Sequence, residues 1–87
     1  MNDNDVVITG AARTAVGSFG GSLSSLTAPQ LGAEVIKKVL EKSEIKHDQV
    51  DTVYMGQILA AGAGQNPARQ AAIHAGIPVE KTATTIN

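Results

Sequence analysis

Apolar positions along this chain switch between two periods. Val6-Val7-Ile8-Thr9-Gly10 is a short β-branched run closed by glycine. Apolar side chains on both faces of such a run predict a strand buried in a parallel sheet. Residues 10–26 lose all periodicity; Gly10, Gly17, Gly20, Gly21 and four serines predict a long loop. A helical period follows, with Leu31, Val35, Ile36, Val39 and Leu40 on one stripe. Thr27 supplies the cap, Pro29 fits the first turn, and Gln30 completes a Thr-x-x-Gln capping box. The spacing predicts a helix over 28–43, with Glu34 and Lys38 as an i,i+4 ion pair.

Polar residues from Glu44 to Asp51 reverse the chain, Ile45 and Val50 tucking inward, and Thr52 to Leu59 reads as a second strand. Gly62-Ala63-Gly64 predicts a turn, after which Asn66 as cap and Pro67 at the first position announce a helix through Ala75. Gly76 and Pro78 stop it, and its run of alanines implies close approach to whatever it packs on. Thr82 to Ile86 is a third, threonine-rich strand. The order β-α-β-α-β predicts right-handed crossovers and a parallel sheet with both edges open. Such a unit reads as part of a larger one.

Composition sharpens that expectation. The chain has 87 residues, 43% of them hydrophobic, yet a single Phe and a single Tyr. A domain of this size buries only about 60% of its unfolded surface and normally needs a disulfide, a metal or a partner. Cysteine is absent, so the chain contains no disulfide, thiolate ligand or cysteine nucleophile. His47 and His74 fall on different elements and make a protein-only zinc site an unfavoured reading.

Seven Lys and Arg against eight Asp and Glu give a net charge of -1 with no basic stripe. That balance, with so few aromatics, argues against a nucleic-acid partner. No apolar stretch reaches the roughly 20 residues of a membrane span, and the start Met1-Asn2-Asp3-Asn4-Asp5 is acidic and polar. The expectation is a cytoplasmic protein with no membrane partner.

The motifs are less decisive. Gly17-Ser18-Phe19-Gly20-Gly21 lacks the Gly-x-Gly-x-x-Gly and Gly-Lys-Ser/Thr patterns of phosphate loops, and a structural loop is the simpler reading. Gly62-x-Gly64 precedes a helix whose Pro67 removes one donor an anion would use. His47 in a charged turn reads as solvated, and His74 late on its helix suits the macrodipole. Neither histidine has a nucleophile or carboxylate at recognisable spacing, and the acidic residues are scattered. Arg69 stands out because a cation in the first helical turn opposes the dipole. It either is simply tolerated in solvent or has a tertiary partner, such as a carboxylate or an interface contact, and the second reading is favoured.

The wording of the chain resembles one family throughout. Ala12-Arg13-Thr14-Ala15-Val16-Gly17-Ser18-Phe19-Gly20-Gly21 is similar to the opening signature of thiolases. The resemblance continues through Leu31-Gly32-Ala33 and Met55-Gly56-Gln57-Ile58-Leu59-Ala60-Ala61-Gly62. It is strongest at Gly64-Gln65-Asn66-Pro67-Ala68-Arg69-Gln70-Ala71-Ala72, followed by Ala75-Gly76-Ile77-Pro78. This wording resembles the short-chain acetyl-CoA acetyltransferase group rather than the long-chain degradative thiolases.

The resemblance implies an α/β, thiolase-like fold, with residues 1–87 as the first β-α-β-α-β portion of its N-terminal half and no internal boundary. It implies a reversible condensation of two acetyl-CoA to acetoacetyl-CoA and CoA through a cysteine acyl-thioester. A second cysteine serves as acid and base, and a histidine activates the first. It implies no tightly bound cofactor, coenzyme A thioesters as substrates, and subunits paired as a dimer or tetramer.

In the family the nucleophile follows the third strand, so it is expected a few residues beyond Asn87. No catalytic, cofactor-binding or metal-binding residue is therefore carried onto this chain. What the resemblance assigns here is scaffold of the nucleophile loop or of the subunit interface: Gln65, Asn66, Arg69, Thr85 and Asn87. The remaining C-terminal portion of the enzyme is the expected partner, without which the 87 residues are expected neither to fold stably nor to turn over. A non-catalytic interaction module derived from a thiolase is the alternative. A nucleotide-binding half-domain is a weaker one, opposed by the missing glycine fingerprint.

Overall fold

A computed structural model describes residues 2–87; Met1, at the start of the polar leader, lies outside the described residues. Helix α1 spans Ala28–Ser43, strand β1 Thr52–Gly56, helix α2 Pro67–His74 and strand β2 Thr82–Ile86, with a 3-10 turn at His47–Gln49. The two strands pair in parallel, Thr52 opposite Thr82 through Gly56 opposite Ile86. Helix α2 packs on both strands, and helix α1 packs chiefly on α2.

Helix α1 begins where its capping box predicts. The Thr27 N–H donates to Gln30 Oε1 at 2.8 Å, and the Gln30 N–H donates to Thr27 Oγ1 at 3.3 Å. Its end is a Schellman motif, with the Ile45 N–H on the Leu40 carbonyl and the Glu44 N–H on the Glu41 carbonyl. The residue in the left-handed position is Glu44, at φ 56°, where glycine is the usual occupant. Left-handed backbone costs a side-chain-bearing residue roughly 1 kcal/mol, and the larger unfolded-state freedom of glycine returns about half of that. Glu44→Gly is therefore expected to slow amide exchange in the last turn of α1, with a gain of about 0.5 kcal/mol; Glu44→Ala should leave it unchanged.

Helix α2 ends in the same way, with the Ile77 N–H on the Ala72 carbonyl and the Gly76 N–H on the Ile73 carbonyl. Here glycine does occupy the left-handed position, at φ 94°. The core lies between the helices and the inward positions of the strands. It consists of Ala33, Ile36, Leu40, Ala71, Ala72, Ala75 and Ile77, with Val39, Ile45, Val50, Val53, Met55 and Ala83 packed around it. Ile45 and Val50 thus tuck inward as their spacing predicts. The alanines of α2 let the helices meet closely: a Cβ added at Gly32 would stand 3.2 Å from Ala71 Cβ and 2.9 Å from Met55 Cε.

Three expectations need correction. Val6–Gly10 forms no strand; Val6 and Ile8 are almost fully exposed. A β-branched run becomes a strand only against a hydrogen-bonding neighbour, and none lies beside this one among the described residues. The sheet therefore has two strands rather than three. The second predicted strand also stops at Gly56 instead of Leu59, because its partner ends at Ile86, and the last rung is the Gln57 N–H on the Ile86 carbonyl at 2.8 Å. Beyond it Ile58 and Leu59 are exposed. Finally, Glu34 pairs with Lys37 (3.6 Å) and Lys38 with Glu41 (3.5 Å), not with each other. All four side chains are solvated, so such alternatives are nearly degenerate.

Among the described residues, nothing covers the outward side of the strands. Tyr54 and Ile86 are more than half exposed, and the loop residues Val16 and Phe19 are fully so. A folded monomer of 8.9 kDa exposes about 4,800 Å² by the usual scaling, whereas this chain exposes 6552 Å². A partner or a further part of a protein would cover such surface, to which Val16, Phe19, Tyr54 and Ile86 contribute apolar area.

Candidate functional site

The most connected polar cluster lies where the N-terminus of α2 meets β2. Asn66 organises it. Its backbone sits in the left-handed region (φ 41°, ψ 79°), which asparagine tolerates better than other side-chain-bearing residues. That conformation turns the carboxamide back over the helix. Oδ1 accepts the Arg69 N–H at 3.2 Å and the Thr85 hydroxyl at 2.6 Å, while Nδ2 donates to the Ala83 carbonyl at 3.1 Å. The Thr85 hydroxyl in turn accepts the Ala68 N–H at 3.0 Å. Two free N–H groups of the first turn are thus satisfied, one by the cap and one by a strand side chain.

Gln70 closes the preceding turn from the other side. Its Nε2 donates to the Ala63 carbonyl at 2.7 Å and to the Gln65 carbonyl at 2.9 Å. Gly62 and Gly64 supply the positive φ angles of that turn, 78° and 84°. At Gly64 a Cβ would also crowd Gln70 Nε2 at 3.1 Å.

Arg69 is exposed, as the solvated reading expects, and its guanidinium meets a nearby carbonyl rather than a carboxylate: Nη1 donates to Val79 O at 3.3 Å. The bond crosses the turn after α2 while solvent screens the unfavourable charge in the first helical turn. Among the residues singled out from the sequence, Asn66, Arg69 and Thr85 are therefore brought together. Gln65 contributes its backbone carbonyl, and Asn87, exposed beyond β2, enters none of these hydrogen bonds. Gln70 and the Ala83 carbonyl were not singled out. Only the turn glycines ahead of Gln70 hinted that a side chain was needed to tie them down.

The cluster contains no ionisable pair and no nucleophile, so its chemistry is orientation. Gln65, Asn66, Arg69, Gln70, Ile73 and His74 line an open groove along the outer side of α2. Among the described residues no group of three His, Asp or Glu converges as a metal site. His47 and His74 are both exposed and belong to separate elements, the His47 ring lying beside Gly76 just after α2.

Parallel strands joined through α2, with a capped helix pinned to the end of the following strand, define an α/β scaffold unit. Residues 6–87 match the family model described as the N-terminal domain of thiolase, and the chain belongs to that family. It is 64% identical over 83 residues to an acetyl-CoA acetyltransferase of Cupriavidus necator, covering 95% of this chain and 21% of that protein. It is 53% identical over 83 residues to an acetyl-CoA acetyltransferase of Clostridioides difficile, covering 95% of this chain and 78% of that sequence. Among solved structures, Acat5 thiolase from Ascaris suum in complex with coenzyme A superposes with a TM-score of 0.89 at 38% identity. That superposition covers 91% of this chain and 21% of the other. The chain thus spans about a fifth of the length of the first of these relatives.

Proposed function

We propose that this chain is the N-terminal part of an acetyl-CoA acetyltransferase, which reversibly condenses two acetyl-CoA to acetoacetyl-CoA and CoA. The observation that carries the reading is the 64% identity to an acetyl-CoA acetyltransferase, sustained over 95% of the chain. In this reading residues 1–87 are one stretch of the N-terminal domain, and the acyl-accepting cysteine stands in the segment that β2 leads into. The second cysteine and the histidine belong to the remainder of the enzyme. The 87 residues contribute walls and fixed points, and contain no cysteine of their own. Coenzyme A thioesters are substrates rather than resident cofactors. Further copies of the enzyme pair with it, and the cytoplasm is its compartment.

The exposed Val6, Ile8, Phe19, Tyr54 and Ile86 support this division of labour, since the remainder of the enzyme would cover them. Purified alone, the 87-residue chain is expected to show no thiolysis of acetoacetyl-CoA. Mixed with or joined to the remainder of the enzyme, it is expected to support turnover. Following the loss of acetoacetyl-CoA absorbance in the presence of CoA tests both halves, and activity of the isolated chain would overturn the reading.

A further inference from the structure

The clasp between α2 and β2 is built more elaborately than holding a two-stranded sheet requires. Thr85 lies next to last in β2 and points inward, beside the end of the strand. Its hydroxyl uses both its functions there, donating to Asn66 Oδ1 and accepting the Ala68 N–H. Asn66 uses all of its carboxamide oxygen capacity and one amide hydrogen, reaching the β2 backbone a second time at Ala83. Three hydrogen bonds therefore fix the last residues of β2 in direction and in height against the first turn of α2. A hydroxyl with both functions engaged has no free rotor, so the strand end is held more tightly than packing alone would hold it.

A comparable hydroxyl pair at the other end offers the contrast. Thr82 Oγ1 donates to Thr52 Oγ1 at 2.7 Å, and Thr52 Oγ1 donates to the Thr82 carbonyl at 3.2 Å. That pair joins strand to strand and touches no helix.

We propose that Thr85, acting through Asn66 and the Ala68 N–H, is a positioning residue for acyl transfer: it sets where the end of β2 delivers the reacting segment. This rests on the acetyltransferase reading above. Its chemical basis is that a displacement of about 1 Å in a reacting group can lower a rate by as much as 100-fold. The clasp acts on the geometry of the reacting step rather than on contacts with the coenzyme. Its loss should therefore appear in kcat and leave KM nearly unchanged.

The test uses the complete enzyme carrying this chain, with Thr85→Val, Thr85→Ala, Thr85→Ser and Thr82→Val, each assayed for acetoacetyl-CoA thiolysis with melting followed by circular dichroism. Thr85→Val is expected to lose about tenfold in kcat with KM within about twofold, Thr85→Ser to recover most of the rate, and Thr82→Val to stay within about twofold. Thr85→Ala removes the same hydroxyl without adding a methyl group and reports the same loss if the valine variant does not fold. A Thr85→Val or Thr85→Ala enzyme as fast as wild type overturns the proposal. So does an equal loss in Thr82→Val, or failure of both hydroxyl-free variants to fold, each of which makes the clasp a stabilising element only. Absence of thiolysis in the wild-type complete enzyme overturns the acetyltransferase reading instead, which keeps the two failures distinct.

Discussion

Replacing Asn66 by alanine is expected to destabilise the start of α2 by about 2–3 kcal/mol in the complete enzyme. Three losses combine. Removing the cap costs about 1 kcal/mol. Alanine at φ 41° takes on the left-handed backbone cost of roughly 1 kcal/mol. The Thr85 hydroxyl and the Ala83 carbonyl also lose their partner, although neighbouring terms do not add fully. Asn66→Gly separates the contributions, because glycine is relaxed in this region of backbone space and is itself a tolerable cap. Amide exchange measured on a peptide spanning 66–77 should therefore rank wild type slowest, glycine intermediate and alanine fastest. Glycine and alanine variants that exchange at the same rate would show that backbone strain contributes nothing here.

The second large effect is expected at the contact between the helices. Ala71 is 1% exposed and faces Gly32, where even one added carbon would meet it at 3.2 Å. Ala71→Leu adds three carbons at a contact where one carbon on Gly32 would already be tight, so the helices must separate or rotate. Overpacking of this kind costs about 3 kcal/mol, near the upper end for such insertions. Exchange in both α1 and α2 should accelerate by about 100-fold, since each 1.4 kcal/mol is tenfold. Acceleration confined to α2 would mean that α1 does not depend on this contact.

Much of this architecture was legible in the residues, for identifiable reasons. Helix α1 is correct at both ends because its signals are local: a capping box of adjacent residues and a stripe broken at Ser43. Helix α2 is correct within a residue because Asn66-Pro67 and Gly76 have strong local meanings. The strands are a different matter. Whether Val6–Gly10 or Gln57–Leu59 joins a sheet depends on a neighbour distant in the chain, and β propensity carries no record of that neighbour. Composition and periodicity could not have found the Asn66–Thr85 bond either, because it links positions 19 apart across a helix. Family resemblance pointed to Asn66, Arg69 and Thr85 but not to what each touches. Gln70 lies within the family wording but was given no role, because its partners are backbone carbonyls and leave no trace in side-chain type.

The strand Thr82-Ala83-Thr84-Thr85-Ile86 looks almost monotonous in composition, yet its threonines are not interchangeable. Thr82 reads the neighbouring strand, Thr85 reads the helix, and Thr84 faces outward between them. Sliding β2 by one residue against β1 would invert every side chain and part both hydroxyl contacts at once. A two-residue slide restores the facing and in one direction puts Thr84 opposite Thr52 in place of Thr82, but it carries the Thr85 hydroxyl away from Asn66 and the Ala68 N–H. The Thr85 end thus decides between alignments that the Thr52 end alone would accept, a form of proofreading written in one side-chain hydroxyl. A short parallel pair, which would otherwise have several near-equivalent alignments, is left with one.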